Sequence, residues 1–406
     1  MVDLTDMRLF RDGFPHDIFT ELRSDQPVLW QEFPATMKGP RDPGFWVLSR
    51  HADVQSANRD AERFSAFDGP SLTGLPEMRG TILVAMDSPD HTRQRRLISA
   101  GFTPRMVSKL EERAREWAIT LVESARTHST VEFVNEIAYK LPMHMIADIV
   151  GIPVEDREWL FSLTTKFLQA ASQDAGMTEA DVLDVQVQMF GYAQQLSTRK
   201  RDEPEDDVWS ILSNVELDGE DGEKTSLGQI ELDMFFMLLT VAGSETTRNA
   251  IAGGLHALLT HPEQLALMRA NPALLKSAVE EIIRWTSPVV YFARRATTDI
   301  ELHGVTIAKG DRVTLWYPSA NRDSDAFVDP FTFDIARSPN PHVSFGGGGP
   351  HYCLGHNLAK LEVAVIFEEL LNRCPNIEAA ADPTFTASSI DSPVLLAMTE
   401  YPIHLS

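Results

Sequence analysis

Cysteine is nearly absent from this chain: 406 residues hold two, Cys353 and Cys374. Two thiols exclude a disulfide framework and fit a reducing compartment. Basic residues are also scarce. The 36 Lys and Arg against 59 Asp and Glu leave a formal net charge of −23, which speaks against nucleic acid or an anionic membrane surface as partner. Long hydrophobic runs are missing too. The run Phe235–Leu239 is flanked by Glu231, Asp233, Glu245 and Arg248, too short an apolar stretch to span a bilayer. The first residues, Met1-Val2-Asp3-Leu4-Thr5-Asp6, are acidic and lack the apolar segment of a secretory signal. A cytoplasmic protein without a membrane anchor is the expectation. No internal repeat or low-complexity linker divides the chain.

What is present is mostly helical periodicity. A short helix is expected around Asp17–Arg23, a strand at Phe45–Leu48 and a loop over Phe67–Arg79. From Pro89 to about Asn214, apolar residues recur at three- and four-residue spacing. The longest helix is predicted over Leu227–Thr260, with Ser226 and Gln229 as capping box and Pro262 beyond its end. Its apolar residues face all sides, so it should be central and buried. Strand-like pieces follow at Val289–Tyr291, Ile300–Leu302 and Val313–Trp316. The expected fold is mainly α with a minor β portion, in one compact unit. Residues 1–406 form a single domain on this reading, with small β-sheet regions near 27–50 and 289–316.

Four segments carry chemistry. The first reads Phe345-Gly346-Gly347-Gly348-Gly349-Pro350-His351-Tyr352-Cys353-Leu354-Gly355. Glycines let a backbone pass close to a flat, bulky partner. Cys353 stands where a helix begins, marked by Leu354, Leu358, Leu361 and Val365, and a helix N-terminus favours a thiolate. A thiolate in such a loop is the proximal ligand arrangement of a haem-thiolate enzyme. In the second segment, Ala242-Gly243-Ser244-Glu245-Thr246-Thr247, Ala242 and Thr246 share a helix face beside a possible ligand. The Thr246 hydroxyl can bond to its own helical turn, and Glu245 is placed to supply protons. The third holds Glu281 and Arg284, three apart on one face; as an exposed pair they would contribute about 0–1 kcal/mol. The fourth is His91-Thr92-Arg93-Gln94-Arg95-Arg96, with Arg294 further on. Buried carboxylates need charge-assisted donors, and His91, Arg95, Arg294 and His351 are the candidates.

In this order, the four segments resemble the cytochrome P450 family. The resemblance implies a P450-like fold and a monooxygenase that inserts one oxygen atom of O2 into a C–H bond. It implies haem b as cofactor, with no flavin in this chain. Cys353 would be the axial iron ligand, and Thr246 with Glu245 the oxygen-activating pair. Glu281 and Arg284 would form a structural pair tied to the stretch near Asn321-Arg322-Asp323 and Arg337. His91, Arg95, Arg294 and His351 would hold the propionates, and Phe345 would pack near the thiolate, with Gly347, Gly355 and Ala242 also against the cofactor. The loop departs from the family's Phe-Gly-x-Gly-x-His-x-Cys-x-Gly by one residue between Phe345 and His351. This insertion is similar to the subgroup that oxidises terminal methyls of branched lipids and steroid side chains.

Family resemblance further implies electrons from NAD(P)H through a ferredoxin reductase and a ferredoxin, a hydrophobic small-molecule substrate and a monomer. Arg93, Arg96, Arg105 and Lys109 are expected to offer the ferredoxin a basic patch. The substrate wall is expected from Leu72, Met78, Leu239, Ala242, Val289, Val290, Phe292, Leu395 and Leu396. The alternatives are a terpenoid or aromatic hydroxylase of the same family, or a peroxide-dependent haem enzyme. A haem sensor without turnover would have no use for Glu245 and Thr246.

Overall fold

The computed structural model describes residues 2–34, 42–72, 78–170, 177–219, 222–387 and 394–406. Part of the loop expected over Phe67–Arg79, residues 73–77, lies outside them.

The chain opens with α1 (His16–Asp25), strands β1 (Val28–Glu32) and β2 (Gly44–Leu48), α2 (His51–Arg59) and the short β3 (Phe64–Ser65). A helical body follows: α3 (Asp90–Ser99), α4 (Pro104–Ala125), β4 (Val131–Glu132), α5 (Lys140–Val150), α6 (Val154–Ala170), α7 (Glu179–Asp202) and α8 (Val208–Asn214). The hairpin β5 (Glu216–Asp218) and β6 (Lys224–Ser226) leads to α9 (Gln229–Thr260), then α10 (Pro262–Ala270) and α11 (Leu275–Thr286). Next come β7 (Tyr291–Ala296), the hairpin β8 (Ile300–Leu302) and β9 (Val305–Ile307), β10 (Arg312–Trp316) and the one-turn α12 (Tyr317–Ala320). Then α13 (His356–Arg373) and strands β11 (Ile377–Ala379), β12 (Thr384–Ala387), β13 (Leu396–Glu400) and β14 (Pro402–Leu405) close the described chain.

The main sheet has the order β1-β2-β10-β7-β3. Both expected β regions meet in it: β10 pairs parallel with β2 through Val313 and Trp46, and antiparallel with β7 through Val313 and Arg294. The β7 strand begins at Tyr291 rather than Val289, and runs on to Ala296. No helix among the described residues is long and apolar enough to cross a membrane.

Helix α9 is the axis of the helical body and packs against α5, α7, α11 and α13. Leu232, Phe235, Phe236, Ile251 and Leu255 are buried along it, which accounts for its all-round apolarity. Its start differs from the expected Ser226–Gln229 box. Gly228 occupies the cap, and the Glu231 carboxylate accepts its N–H at 2.9 Å, satisfying one orphan donor.

The Glu281–Arg284 pair is fully buried rather than exposed. Arg284 donates twice to Glu281 at 2.8 Å, and also to the carbonyls of Asn321 (2.7 Å) and Pro330 (2.9 Å). Glu281 further accepts from Arg337, Asn340 and the Asp334 N–H. The pair therefore ties α11 to the irregular segment that leads into the glycine loop. Such a pair is tolerable in a low-dielectric interior because nearly every lone pair and proton has a partner.

Candidate functional site

A cavity of about 250 Å³ lies between α9 and the glycine loop. Cys353, Phe345, Gly346, His351, Gly355, His91, Arg95, Arg294, Ala242 and Thr246 all line it. Segments more than 250 positions apart are thus brought to one space.

The glycine loop can approach this space because Gly346, Gly347, Gly348 and Gly349 all have positive φ, from 64° to 114°, a region open to glycine at little cost. Gly349 passes so close to α2 that a Cβ there would lie 2.3 Å from the Asn58 carbonyl oxygen. Gly347, expected against the cofactor, is turned toward Val343 and Gln55 and does not line the cavity; Gly346 does.

Cys353 stands three residues before the first residue of α13, with Gly355 as the cap, so it is not itself the helix start. Its N–H donates to the Phe345 carbonyl at 3.0 Å, which closes the loop. Burial pushes the Cys353 thiol up; the Gly355 N–H on its sulfur and the Arg95 charge pull the other way. The helix-terminus argument for a free thiolate is therefore overridden by desolvation. A metal cation would reverse that balance, because a coordinated thiol is deprotonated.

On α9, Thr246 Oγ1 donates to the Ala242 carbonyl at 2.8 Å, one turn back. Glu245 does not stand beside it on the cavity wall. It is buried, and its carboxylate pairs with Arg248 at 2.6 Å. Burial raises its pKa against the pull of Arg248, and Oε1 has no hydrogen-bond partner. Arg248 in turn lies over the Tyr139 ring at 5.9 Å.

The four candidate anion donors converge on the cavity. The His91 and His351 rings stack at 4.1 Å. Burial and the charges of Arg95 and Arg294 keep them neutral, with His91 lowered to about 4 and His351 to about 2. Arg95 donates to the Tyr352 carbonyl. Arg294 is 5 % exposed, and donates to the Ala293 carbonyl at 2.8 Å and weakly to Asn58. Among the described residues no carboxylate forms an ion pair with Arg95 or Arg294, and His91 Nε2 is a buried nitrogen without a partner. An unpaired buried guanidinium is costly. An anionic group entering here would meet the charges of Arg95 and Arg294 and the unpartnered His91 Nε2, so these residues fit the carboxylate-bearing edge of a haem.

The expected substrate wall is corrected in part. Leu239, Ala242, Val289 and Phe292 line the cavity. Leu72 and Val290 do not: both are fully buried in the core around Trp316, and the Leu72 N–H bonds to the Tyr291 hydroxyl. Met78 packs on the main helical core, Leu396 on the Trp316 core, and Leu395 bridges to Val289; none of them lines the cavity. Sequence reasoning missed Phe235 and Leu238, which continue the Leu239–Ala242–Thr246 stripe up α9, as well as Leu83, Phe102 and Ile146. The helical period alone would have supplied the first two.

The expected basic patch is largely spent on internal pairing. Arg93 pairs with Glu231, Arg96 donates to the Asp218 carbonyl, and Arg105 and Lys109 share Asp206.

Comparison with known proteins bears on the family. Residues 265–386 match the family model described as cytochrome P450. Cytochrome P450 126 of Mycobacterium tuberculosis is 42 % identical, over 96 % of this chain and 94 % of that one. A steroid C26-monooxygenase of Rhodococcus jostii is 38 % identical over 94 % of this chain and 80 % of its own length. A methyl-branched lipid omega-hydroxylase of Mycobacterium bovis is 40 % identical over 92 % and 87 %. Among solved structures, the Mycobacterium marinum cytochrome P450 CYP268A2 in complex with pseudoionone superposes with a TM-score of 0.87, at 37 % identity, covering 96 % of this chain and 94 % of that one.

Proposed function

The chain belongs to the cytochrome P450 family of haem-thiolate monooxygenases, and from that premise we propose that it hydroxylates the terminal methyl of a methyl-branched lipid or steroid side chain. The observation that carries the reading is the cavity itself. Cys353 and Thr246 line it together with an apolar wall of Phe235, Leu238, Leu239, Ala242, Val289 and Phe292. Such a wall selects a hydrophobic substrate by shape. One relative is named a steroid C26-monooxygenase and another a methyl-branched lipid omega-hydroxylase. On this reading residues 1–406 act as one domain, and the cofactor is haem b.

Cys353 would hold the iron, and His91, Arg95, Arg294 and His351 the two propionates, with Phe345, Gly346 and Gly355 packed around them. When bound, the haem supplies O2 activation and oxygen insertion; the protein supplies binding, orientation and electrostatics. The Gly355 N–H and Arg95 offset the cost of burying the sulfur's negative charge. Thr246 Oγ1 offers the cavity a lone pair and, by rotating off the Ala242 carbonyl, a proton. Glu245 is the proton reserve, and must leave Arg248 or pass its proton through water to serve Thr246. The apolar wall excludes bulk water and aims one carbon of the substrate.

Electrons would come from NAD(P)H through a ferredoxin reductase and a ferredoxin. Because Arg93, Arg105 and Lys109 are paired with carboxylates and Arg96 bonds a backbone carbonyl, the ferredoxin must compete with these internal partners or dock elsewhere. A second reading, oxidation of a terpenoid, is favoured by the neighbour solved with pseudoionone. The test is a competition. The reconstituted enzyme receives a branched-side-chain steroid, a methyl-branched fatty acid and a terpenoid, and products are identified by mass spectrometry. Terminal-methyl alcohols from the first two support the proposal. Products only from the terpenoid replace it, and equal rates with peroxide alone overturn the ferredoxin route.

A further inference from the structure

Asn58 and Tyr317 have no part in the reading of the sequence, yet both line the cavity beside His91, Arg95, Arg294 and His351. Asn58 lies in the last turn of α2 and Tyr317 opens α12, 259 positions later. Both are buried, at 4 % and 2 % exposure.

One oxygen serves two donors here. Tyr317 Oη donates to Asn58 Oδ1 at 3.3 Å, and Arg294 Nη2 donates to the same oxygen at 3.5 Å. Both distances are at the long limit for such bonds. The Asn58 amide is fixed from its other end, where Nδ2 donates to the Val54 carbonyl at 3.1 Å. Packing fixes the phenol: the Phe292 ring meets it edge-on at 5.9 Å, and the Arg294 guanidinium lies 5.9 Å from the same Phe292 ring. Two buried donors thus stand side by side, held by Asn58 and Phe292, and share one acceptor at the long limit of a hydrogen bond. Buried polar hydrogens ordinarily have full partners, so a further acceptor is called for on the cavity side.

We propose that Tyr317 is an additional, uncharged anion-holding residue of this cavity, donating with Arg294 to one carboxylate of the bound cofactor, and that Asn58 is the positioning residue that holds both donors ready. The inference rests on the haem-thiolate reading above. A neutral donor on a carboxylate draws off part of its negative charge without adding a cation. Removing it leaves more uncompensated negative charge near the iron, which favours the ferric over the ferrous state.

The test uses the purified holoenzyme with Tyr317→Phe and Asn58→Asp, and three readouts: the reduced carbon monoxide spectrum, haem release to an excess of a haem-scavenging apoprotein, and the ferric–ferrous equilibrium against a mediator dye. Tyr317→Phe should keep the wild-type spectrum, release haem about tenfold faster, as loss of one charge-assisted hydrogen bond implies, and shift the equilibrium several-fold toward ferric. Asn58→Asp should release haem faster still, because the new carboxylate pairs with Arg294 and faces the incoming anion. Unchanged release and equilibrium in Tyr317→Phe, with wild-type spectrum, overturn the inference and leave the haem-thiolate reading standing. Faster release with an unchanged equilibrium also overturns it, since that is the mark of looser packing alone. A wild-type protein without a thiolate-type spectrum refutes the underlying reading instead.

Discussion

Glu245 and Thr246 are neighbours in sequence that face different ways. Thr246 lines the cavity with its hydroxyl on the Ala242 carbonyl, while Glu245 is buried against Arg248, 2.6 Å from its guanidinium. A helix turns about 100° per residue, so two adjacent side chains cannot share one face. The proton source and the group that uses it are therefore separated by a side-chain movement or a water.

That separation gives distinct phenotypes. Thr246→Ala should leave NAD(P)H consumption close to wild type while product falls several-fold and peroxide accumulates. Loss of NAD(P)H consumption and product in equal proportion would contradict the role assigned to its hydroxyl.

Glu245→Gln removes the proton reserve while keeping the shape. Turnover should fall by about 10²-fold, the lower range of general acid contributions, with substrate affinity unchanged. A weakened substrate affinity at normal turnover would place Glu245 in binding instead.

Glu281→Gln should be severe for stability rather than chemistry. It strips the charge from a site where Arg284 and Arg337 both converge. Breaking one side of a buried pair costs about 3–5 kcal/mol, to be read from urea unfolding. A loss under 1 kcal/mol would mean that the burial of this pair is incidental.

Gly349→Ala should prevent the glycine loop from seating on α2, because the new Cβ meets the Asn58 carbonyl oxygen at 2.3 Å with φ at 81°. Haem content on purification should drop sharply. Normal haem content would show that the loop has another stable path.

Acid should destabilise the fold through a buried histidine. His144 stacks on Trp117 at 3.8 Å, and its Nδ1 is buried without a partner. Burial and the Arg157 charge lower it to about 4. The folded state thus binds fewer protons than the unfolded one between pH 6.5 and 4. The stability that neutral His144 contributes is complete above pH 6.5 and is lost as pH falls toward 4. His144→Phe should flatten the wild-type decline in unfolding free energy across that window; an unchanged slope would refute it.

Much of this was legible in the sequence, because the chemistry demands particular residues. The four glycines before His351 and Cys353 stand out as a run, and Thr246 one turn beyond Ala242 is read directly from the helical period. The β regions were legible as short apolar runs, although β7 extends past the run into Ala293-Arg294-Arg295 because its pairing with β10, not local propensity, sets its length. Substrate-wall residues were less legible. Val289 and Val290 are equally apolar, yet one faces the cavity and the other the Trp316 core, and hydropathy does not record direction. Asn58 and Tyr317 were invisible, since their significance lies in a contact across 259 positions. The capping at Gly228 was missed because its partner, Glu231, acts through the backbone N–H.

The most direct test of the central claim is the absorbance spectrum of the purified, reduced protein under carbon monoxide, for wild type and Cys353→Ser. The account predicts the red-shifted Soret band of a thiolate-ligated haem in wild type and its loss in the variant. Folded wild-type protein without haem, or a band unchanged by Cys353→Ser, would contradict it.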